Sequence, residues 1–580
     1  MKMVRQWRYL LLATLAIVAL AVLAACSSSD DSTSTPTTNG SGSATPVASG
    51  PPADAAPDAQ QLMTINIHAE PTTIDPQAAS YTGETTVVSN AFLELFDQDP
   101  TTSQLTPNAA SAVPSTANGG ISADGLTYTI KLKPGLKWSD GTAVTAADFV
   151  YGIIRGYNLT LGSGYGGFIT CIKGATEALA LDTKSATYLA DVNTKLKDSV
   201  VAVDATTLKI VAAQPSVSCL SNFTLMITAA VKQSNVEALG ASFGQAAGAA
   251  KMVTDGPFNI KEWVAKDHLT LTRSDTYTAT PKALLKEVKL AFITDRNQAY
   301  NALQAGQVDE TEVPASSYPG VKTDPNVHQE QEFATRWTWV DVTIPPWNNK
   351  DFVIAMNQAT DRATIGRDVY FGLRQPWAAP CAAAVLDCDP TLFTNLEFNL
   401  ANAKASALKA YPDGNIPPIT LETTSDPTNQ SLVQTLQSEW QQIPGVHVTL
   451  TTVDQKTLQS DMKTHIAGTQ ISGWNMDFAD ATDLWSIETT TSLGGNNIGF
   501  YSRPQYDTLE AQQDTQTDPV ARKATLKQLQ QLWAADPPVI NMFVALRTEQ
   551  FSAKVKGIVS SPFDYEVIGD QFLEDMYISK

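Results

Sequence analysis

Apolar and polar positions alternate along residues 62–67 (Leu-Met-Thr-Ile-Asn-Ile), and strictly along residues 127–132 (Thr-Tyr-Thr-Ile-Lys-Leu). That period of two predicts half-buried strands. After the turn Ser139-Asp140-Gly141 the period changes. Thr145 stands three residues before Asp148, and Phe149, Val150, Ile153 and Ile154 fall on one helical face. This is an acidic variant of the capping box opening an amphipathic helix. Strands are predicted at 201–212, 269–273, 288–293, 419–422 and 446–453, and helices at 296–305, 351–371 and 429–442. Asp518-Pro519 starts a further helix, with Leu526, Leu529, Leu532 and Trp533 along one side. Interleaved strands and helices with no short repeat predict an α/β or α+β architecture and exclude solenoids and propellers.

The longest apolar run, Tyr9 to Ala25, follows Lys2, Arg5 and Arg8 and ends in Leu23-Ala24-Ala25-Cys26. It is shorter than the ~20 residues of a spanning helix and ends in small residues, so it reads as a secretory signal at 1–25. The site resembles the bacterial lipobox, which makes Cys26 the expected lipidation site; an ordinary signal peptide or an anchor helix is the alternative. Residues 26–61 begin as a Ser/Thr/Pro/Ala/Gly tract too poor in large apolar residues to form a core, and are expected to be a disordered tether. About 520 residues follow, enough for two or three packed units.

Removing the signal leaves 36 Lys and Arg against 59 Asp and Glu, a formal charge of −23. Such a chain repels a phosphate backbone, so nucleic acid is not an expected partner. Four cysteines remain, Cys171, Cys219, Cys381 and Cys388, in a chain read as exported. The expectation is Cys171 with Cys219 and Cys381 with Cys388; the other two pairings and free thiols stay open. The spacing has no C-x-x-C and no adjacent histidine, so no metal site is expected.

Ordered motifs carry the next step. They begin with Glu70-Pro71-Thr72-Thr73-Ile74-Asp75-Pro76 and Asn90 to Phe96. The densest stretch, Ser122 to Arg155, holds Asp124-Gly125-Leu126-Thr127-Tyr128, Leu136-Lys137-Trp138-Ser139-Asp140-Gly141-Thr142 and Val144 to Val150. Asp255-Gly256-Pro257-Phe258 with Trp263, Ala305 to Asp309, and Asn357 to Arg362 follow in order. Together these resemble the extracellular solute-binding proteins of family 5, the oligopeptide, dipeptide and nickel binders of ABC importers.

The resemblance implies a periplasmic-binding-protein-like class C (type II) α/β fold, with discontinuous lobes around a cleft and an extra inserted domain. Domain I is expected from 62–93, 213–310 and 549–580, domain II from 94–212, and domain III from 311–548. It implies a monomer anchored by lipid to the outer face of the bacterial cytoplasmic membrane, where it captures a peptide or peptide-like solute between domains I and III. An ABC permease is the implied partner and no cofactor is implied. Binding of another solute, such as a nickel chelate, haem or a glycan fragment, is the alternative.

Gly473-Trp474-Asn475-Met476-Asp477-Phe478 is similar to the family segment whose aspartate pairs with a peptide α-ammonium. By that resemblance Asp477 is the anchor, Trp474 an apolar wall, and Phe478 a neighbour in the site. Tyr165 resembles a cleft tyrosine, and Tyr81, Thr82 and Gly83 fall in a segment expected to offer extended backbone to the ligand. Met462 and Ile471 stand where oligopeptide binders carry carboxylate-receiving arginines, and Gln455 replaces a pocket tryptophan. Lys463 or His465 is then the substitute, or the solute lacks a free carboxylate there.

No enzyme is expected. Gly162-x-Gly164-x-x-Gly167 fits the dinucleotide fingerprint in letters only, since no helix with an acid about 20 residues on completes it. The five histidines are scattered and there is no G-x-S-x-G, so nothing assembles a triad. A peptide-acting hydrolase is the least favoured alternative.

Overall fold

The computed structural model describes residues 51–580 apart from 163–164, 279–281, 383–384, 386, 467, 494–495 and 564–565. The signal and Cys26 lie outside the described residues, as do two positions of the glycine-rich 162–167 stretch. Among the described residues no helix is long and apolar enough to cross a membrane.

Three sheets organise the body. In the first, strand Leu62–Asn66 runs parallel to Glu287–Ala291, followed by antiparallel His268–Arg273 and Phe258–Val264. The second joins Thr127–Lys131, Thr207–Val211 and Val200–Asp204, all antiparallel. The segment read as one strand over 201–212 is therefore a hairpin, turned at 205–206 where Thr206 N donates to Asp204 Oδ1 at 2.8 Å. The third and largest sheet runs Glu310–Glu312, Val539–Phe551, Val327–Val340, Thr469–Asn475, Ile419–Thr423, Val448–Thr452, with Arg374–Pro376 beside Val539–Phe551.

The five predicted helices begin within two residues of where the polar pattern places them. Thr145 N and Oγ1 both donate to Asp148 Oδ2 at 2.8 Å, opening helix Ala146–Gly156. Asp518 accepts from Ala521 N at the start of Pro519–Ala535. The single helix read over 351–371 is two, Lys350–Ala359 and Arg362–Asp368. Arg362, 4% exposed, explains the break: it donates to the carbonyls of Asn357 and Thr360, which a continuous helix would have bonded within itself, and to that of Asn541 on strand Val539–Phe551.

One apolar core joins the first two sheets with the C-terminal residues through Ile578, and includes Trp138, Phe149 and Leu290. Two more cores flank the large sheet, one around Trp337, Trp485 and Trp533, the other around Trp347, Phe352 and Trp440. The family-like motifs meet at core joints. Arg155 donates to both carboxylate oxygens of Asp75 at 2.6 Å and to Gln77 Oε1 at 2.8 Å, tying two of them together. Gly256 is required sterically, since a Cβ there would stand 2.7 Å from Asn90 O.

Both predicted disulfides are present, Cys171–Cys219 and Cys381–Cys388. The expected tether ends sooner than residue 61. Ala55 pairs with Ser579, Ala56 is 7% exposed, and Gln61 binds the backbone of Ala56 and Ile578, so this part of the segment is held by the C-terminal strand.

Candidate functional site

A cavity of about 1020 Å³ opens between the large sheet and the elements that precede it in sequence. One wall comes from the end of strand Thr469–Asn475 and the loop that follows, which carry Trp474, Met476, Asp477 and Phe478. The facing wall includes Tyr165 and Phe168 on one short helical turn, and Cys171. Thr82 and Thr85 on helix Thr82–Ala91 line it too.

Backbone packing fixes the Trp474–Asp477 wall. Gly473 pairs with Arg336, and a Cβ at Gly473 would meet Thr335 O at 2.2 Å, so only glycine lets the two strands approach. Asp483 then shapes the turn. Its Oδ2 accepts from Asp477 N at 2.5 Å and Phe478 N at 3.3 Å, and its Oδ1 from Trp474 Nε1 at 3.3 Å. Burial and the neighbouring Asp477 push the Asp483 carboxyl well above its usual range.

Asp477 itself faces the cavity. Its Oδ1 accepts from the Tyr165 hydroxyl at 2.9 Å, across 312 residues of sequence. Burial raises its pKa from 3.8 to about 6, while the Tyr165 hydrogen bond works in the opposite direction. Beside it the rings of Tyr165 and Phe168 are 5.6 Å apart, and those of Phe168 and Trp474 6.3 Å, an aromatic surface reaching from one wall to the other. Further direct links cross nearby: Gln98 accepts from Ala479 N at 2.8 Å, and Ser218 Oγ donates to Asp514 Oδ1 at 2.6 Å.

The structure brings Asp477, Trp474, Phe478, Tyr165 and Thr82 onto this cavity, but Tyr81 and Gly83 are not on its wall. The extended edge expected at Tyr81–Gly83 is instead a helix start. Ser80 N and Tyr81 N donate to Glu84 Oε2, and Tyr81 O accepts from Glu84 N and Thr85 N, so those groups are spent on the cap. Phe478 is 3% exposed and packs mainly into the first core. His465 is no substitute anchor: its Nδ1 bonds Asp341 Oδ2 at 2.6 Å, its ring stacks on Phe500, and it lines neither this cavity nor its neighbour. Met462 is fully buried in a core around Trp337.

Sequence reasoning missed Phe168, Asp483 and the pair Glu332–Arg547. Phe168 lies three residues beyond Tyr165, and its aromatic character was the available signal. Arg547 Nε donates to Glu332 Oε1 at 2.7 Å on the cavity wall. Those two lie 215 residues apart on neighbouring strands, so no local pattern joins them. Burial opposes the Arg547 charge, but Glu332, Glu549 and Asp570 outweigh it and hold its pKa above the usual range.

Known proteins resemble this chain in sequence and fold. The model of the bacterial extracellular solute-binding proteins, family 5 Middle, matches residues 104–494. The oligopeptide-binding protein OppA of Bacillus subtilis is 26% identical over 454 residues, 76% of this chain and 80% of that protein. The probable deoxycholate-binding periplasmic protein YgiS of Escherichia coli is 26% identical over 524 residues, 87% of this chain and 92% of that protein. Among solved structures, the murein tripeptide binding protein MppA of Escherichia coli matches with a TM-score of 0.73 at 22% identity, covering 90% of this chain and 98% of its own; this is a likeness of fold. With the family model spanning most of the body, the chain belongs to the bacterial extracellular solute-binding proteins of family 5.

Proposed function

We propose that this chain is the lipid-anchored solute-binding component of an ABC importer and captures a peptide or peptide-like solute by its amino terminus. The observation that carries the reading is Asp477, a carboxylate on the wall of a large cavity, set beside an aromatic surface and one hydrogen bond from the opposite wall. A ligand ammonium entering there gains a charge-assisted hydrogen bond in a setting drier than bulk water. The charge balance of the wall agrees: Glu332, Asp477, Glu510 and Asp514 face it, against Arg547 as the sole basic residue among its described lining. Arg547 is committed to Glu332, which suits a solute bound by its ammonium rather than by a free carboxylate. Relatives named for oligopeptides and dipeptides support the peptide class, and the deoxycholate name of another keeps a different solute in the test.

In this reading domain I is made of 62–93, 213–310 and 549–580, joined by the residues from about 54 that the C-terminal strand holds. Domain II is 94–212 and domain III 311–548. Closure of domain III over the other two traps the solute, and the closed form is what the permease recognises. Cys26 carries the lipid, and the protein acts as a monomer without catalysis.

The test is thermal melting and calorimetry of residues 52–580 against free and amino-acetylated peptides and deoxycholate, with mass spectrometry of each mixture. Stabilisation by free peptides, lost on acetylation and without cleavage, supports the reading. Cleavage, or stabilisation by deoxycholate alone, overturns it.

A further inference from the structure

A second cavity, of about 360 Å³, adjoins the first, and Trp474 lies on the wall of both. Its own walls come from strands Thr469–Asn475 and Ile419–Thr423, through Ile471, Ser472 and Glu422, and from Leu458 and Lys463. Ile419–Thr423 sits next to Thr469–Asn475 in the sheet, with Glu422 opposite Gln470. Leu421 points into the core around Trp440, so its neighbour Glu422 points to the other face, toward the cavity.

Glu422 is 6% exposed, its Oε2 is sealed from solvent, and that oxygen has no hydrogen-bond partner. No ion pair among the described residues involves it, although Lys463 stands at the same cavity with its side chain exposed. A buried carboxylate without a donor costs several kcal/mol or takes up a proton, and burial together with nearby Asp461 does raise the Glu422 pKa. Elsewhere on the cleft the buried acids are satisfied: Asp477 by Tyr165, Asp483 by Trp474 and two backbone N–H groups, Glu332 by Arg547. Glu422 is the exception, and it lines the second cavity.

We propose that the second cavity is a subsite for a cationic side chain of the bound solute, with the Glu422 carboxylate as its counter-charge. The inference deepens the peptide reading above and rests on Asp477 holding the amino terminus. From Asp477 back to Trp474, which lies on both cavities, the chain spans at most about 10 Å at ~3.3 Å per residue. An extended peptide laid along the same strand therefore presents its second to fourth side chain to the cavity. Trp474 supplies an apolar face for the methylenes of a lysine or arginine and a cation–π surface for its head. The solute class is thus a short peptide with a basic residue near its amino terminus.

The test is calorimetry with alanine-based tetrapeptides and pentapeptides carrying one lysine, or its uncharged isostere norleucine, at position two, three or four. Each is measured free and amino-acetylated, against the wild-type protein and Glu422→Gln. At one position lysine should bind at least tenfold tighter than norleucine, and Glu422→Gln should bring that ratio within about threefold. The wild-type comparison stands even if the variant misfolds. Equal binding of lysine and norleucine at all three positions overturns the subsite while leaving the peptide reading intact. Lysine peptides that bind equally tightly free and acetylated overturn the Asp477 anchor but keep the subsite. Binding of none of these peptides overturns both.

Discussion

The Tyr165 hydroxyl donates to Asp477 Oδ1 at 2.9 Å, and the two residues come from opposite walls of the cleft. The hydrogen bond joins the walls through the group proposed to receive the ligand. An incoming ammonium must share Asp477 with Tyr165, which makes the pair both a latch and a preorganised acceptor.

Asp477→Asn separates binding from stability. Burial raises the folded-state pKa of Asp477 to about 6 from an ordinary 3.8, so the folded protein binds this proton more tightly than the unfolded chain. Its ionisation therefore costs stability as pH rises from about 4 to about 6, and the cost persists at pH 7. Because the side chain is only partly shielded, we expect the asparagine variant to be about 1–2 kcal/mol more stable at pH 7 and no more stable than wild type at pH 4. Peptide affinity should fall more than tenfold. Urea melts of the empty protein at both pH values, with calorimetry at pH 7, check the two halves.

The same pKa governs binding. Ammonium capture requires ionised Asp477, so affinity for a free amino terminus should weaken as pH falls through about 6. Tyr165→Phe removes the hydrogen bond that favours the ionised form, so the midpoint should move upward. A calorimetric pH series on both proteins reads the shift. A midpoint unchanged by the substitution would separate Tyr165 from the anchor.

The disulfides should differ in weight. Cys171–Cys219 closes a separation of 48 residues, and Cys171 lies on the cavity wall; Cys381–Cys388 closes 7. Loop-closure entropy assigns about 4 kcal/mol to the first and about 2.5 to the second. Paired Cys→Ser variants compared by denaturant unfolding should keep that order, and the first pair alone should also weaken ligand binding.

Local pattern made much of the fold legible. The alternation at 127–131, the Thr145–Asp148 cap and the Asp518 helix start each act over a few residues, and the structure has all three. The resemblance reached further, to the Trp474–Asp477 segment whose geometry Gly473 and Asp483 enforce. What failed depended on distant partners or on competition. Residues 81–83 looked extended until Glu84 capped the helix that starts there, and the break after Ala359 needed Arg362 to find Asn541. Glu422 gave no signal, because its character comes from the partner it lacks.

Glu332 and Arg547 provide the last test. Their side chains are 15% and 14% exposed, and the pair joins two long strands of the large sheet, Val327–Val340 and Val539–Phe551. Removing one partner of a shielded ion pair costs about 3–5 kcal/mol where the other charge is left alone, and less here because Glu549 and Asp570 also hold Arg547. Glu332→Gln should show that loss, because Arg547 keeps its charge. Glu332→Gln with Arg547→Met should not recover it, since Glu549 and Asp570 then lose their cation. Peptide binding offers a second readout: with Glu332 neutral, the cavity wall loses one negative charge beside Arg547, which favours a ligand carboxylate. The single variant should then bind peptides with a free carboxyl terminus at least threefold tighter relative to their amides than wild type does. Chemical denaturation of all three proteins, and calorimetry with acid and amide forms of one peptide, measure both effects.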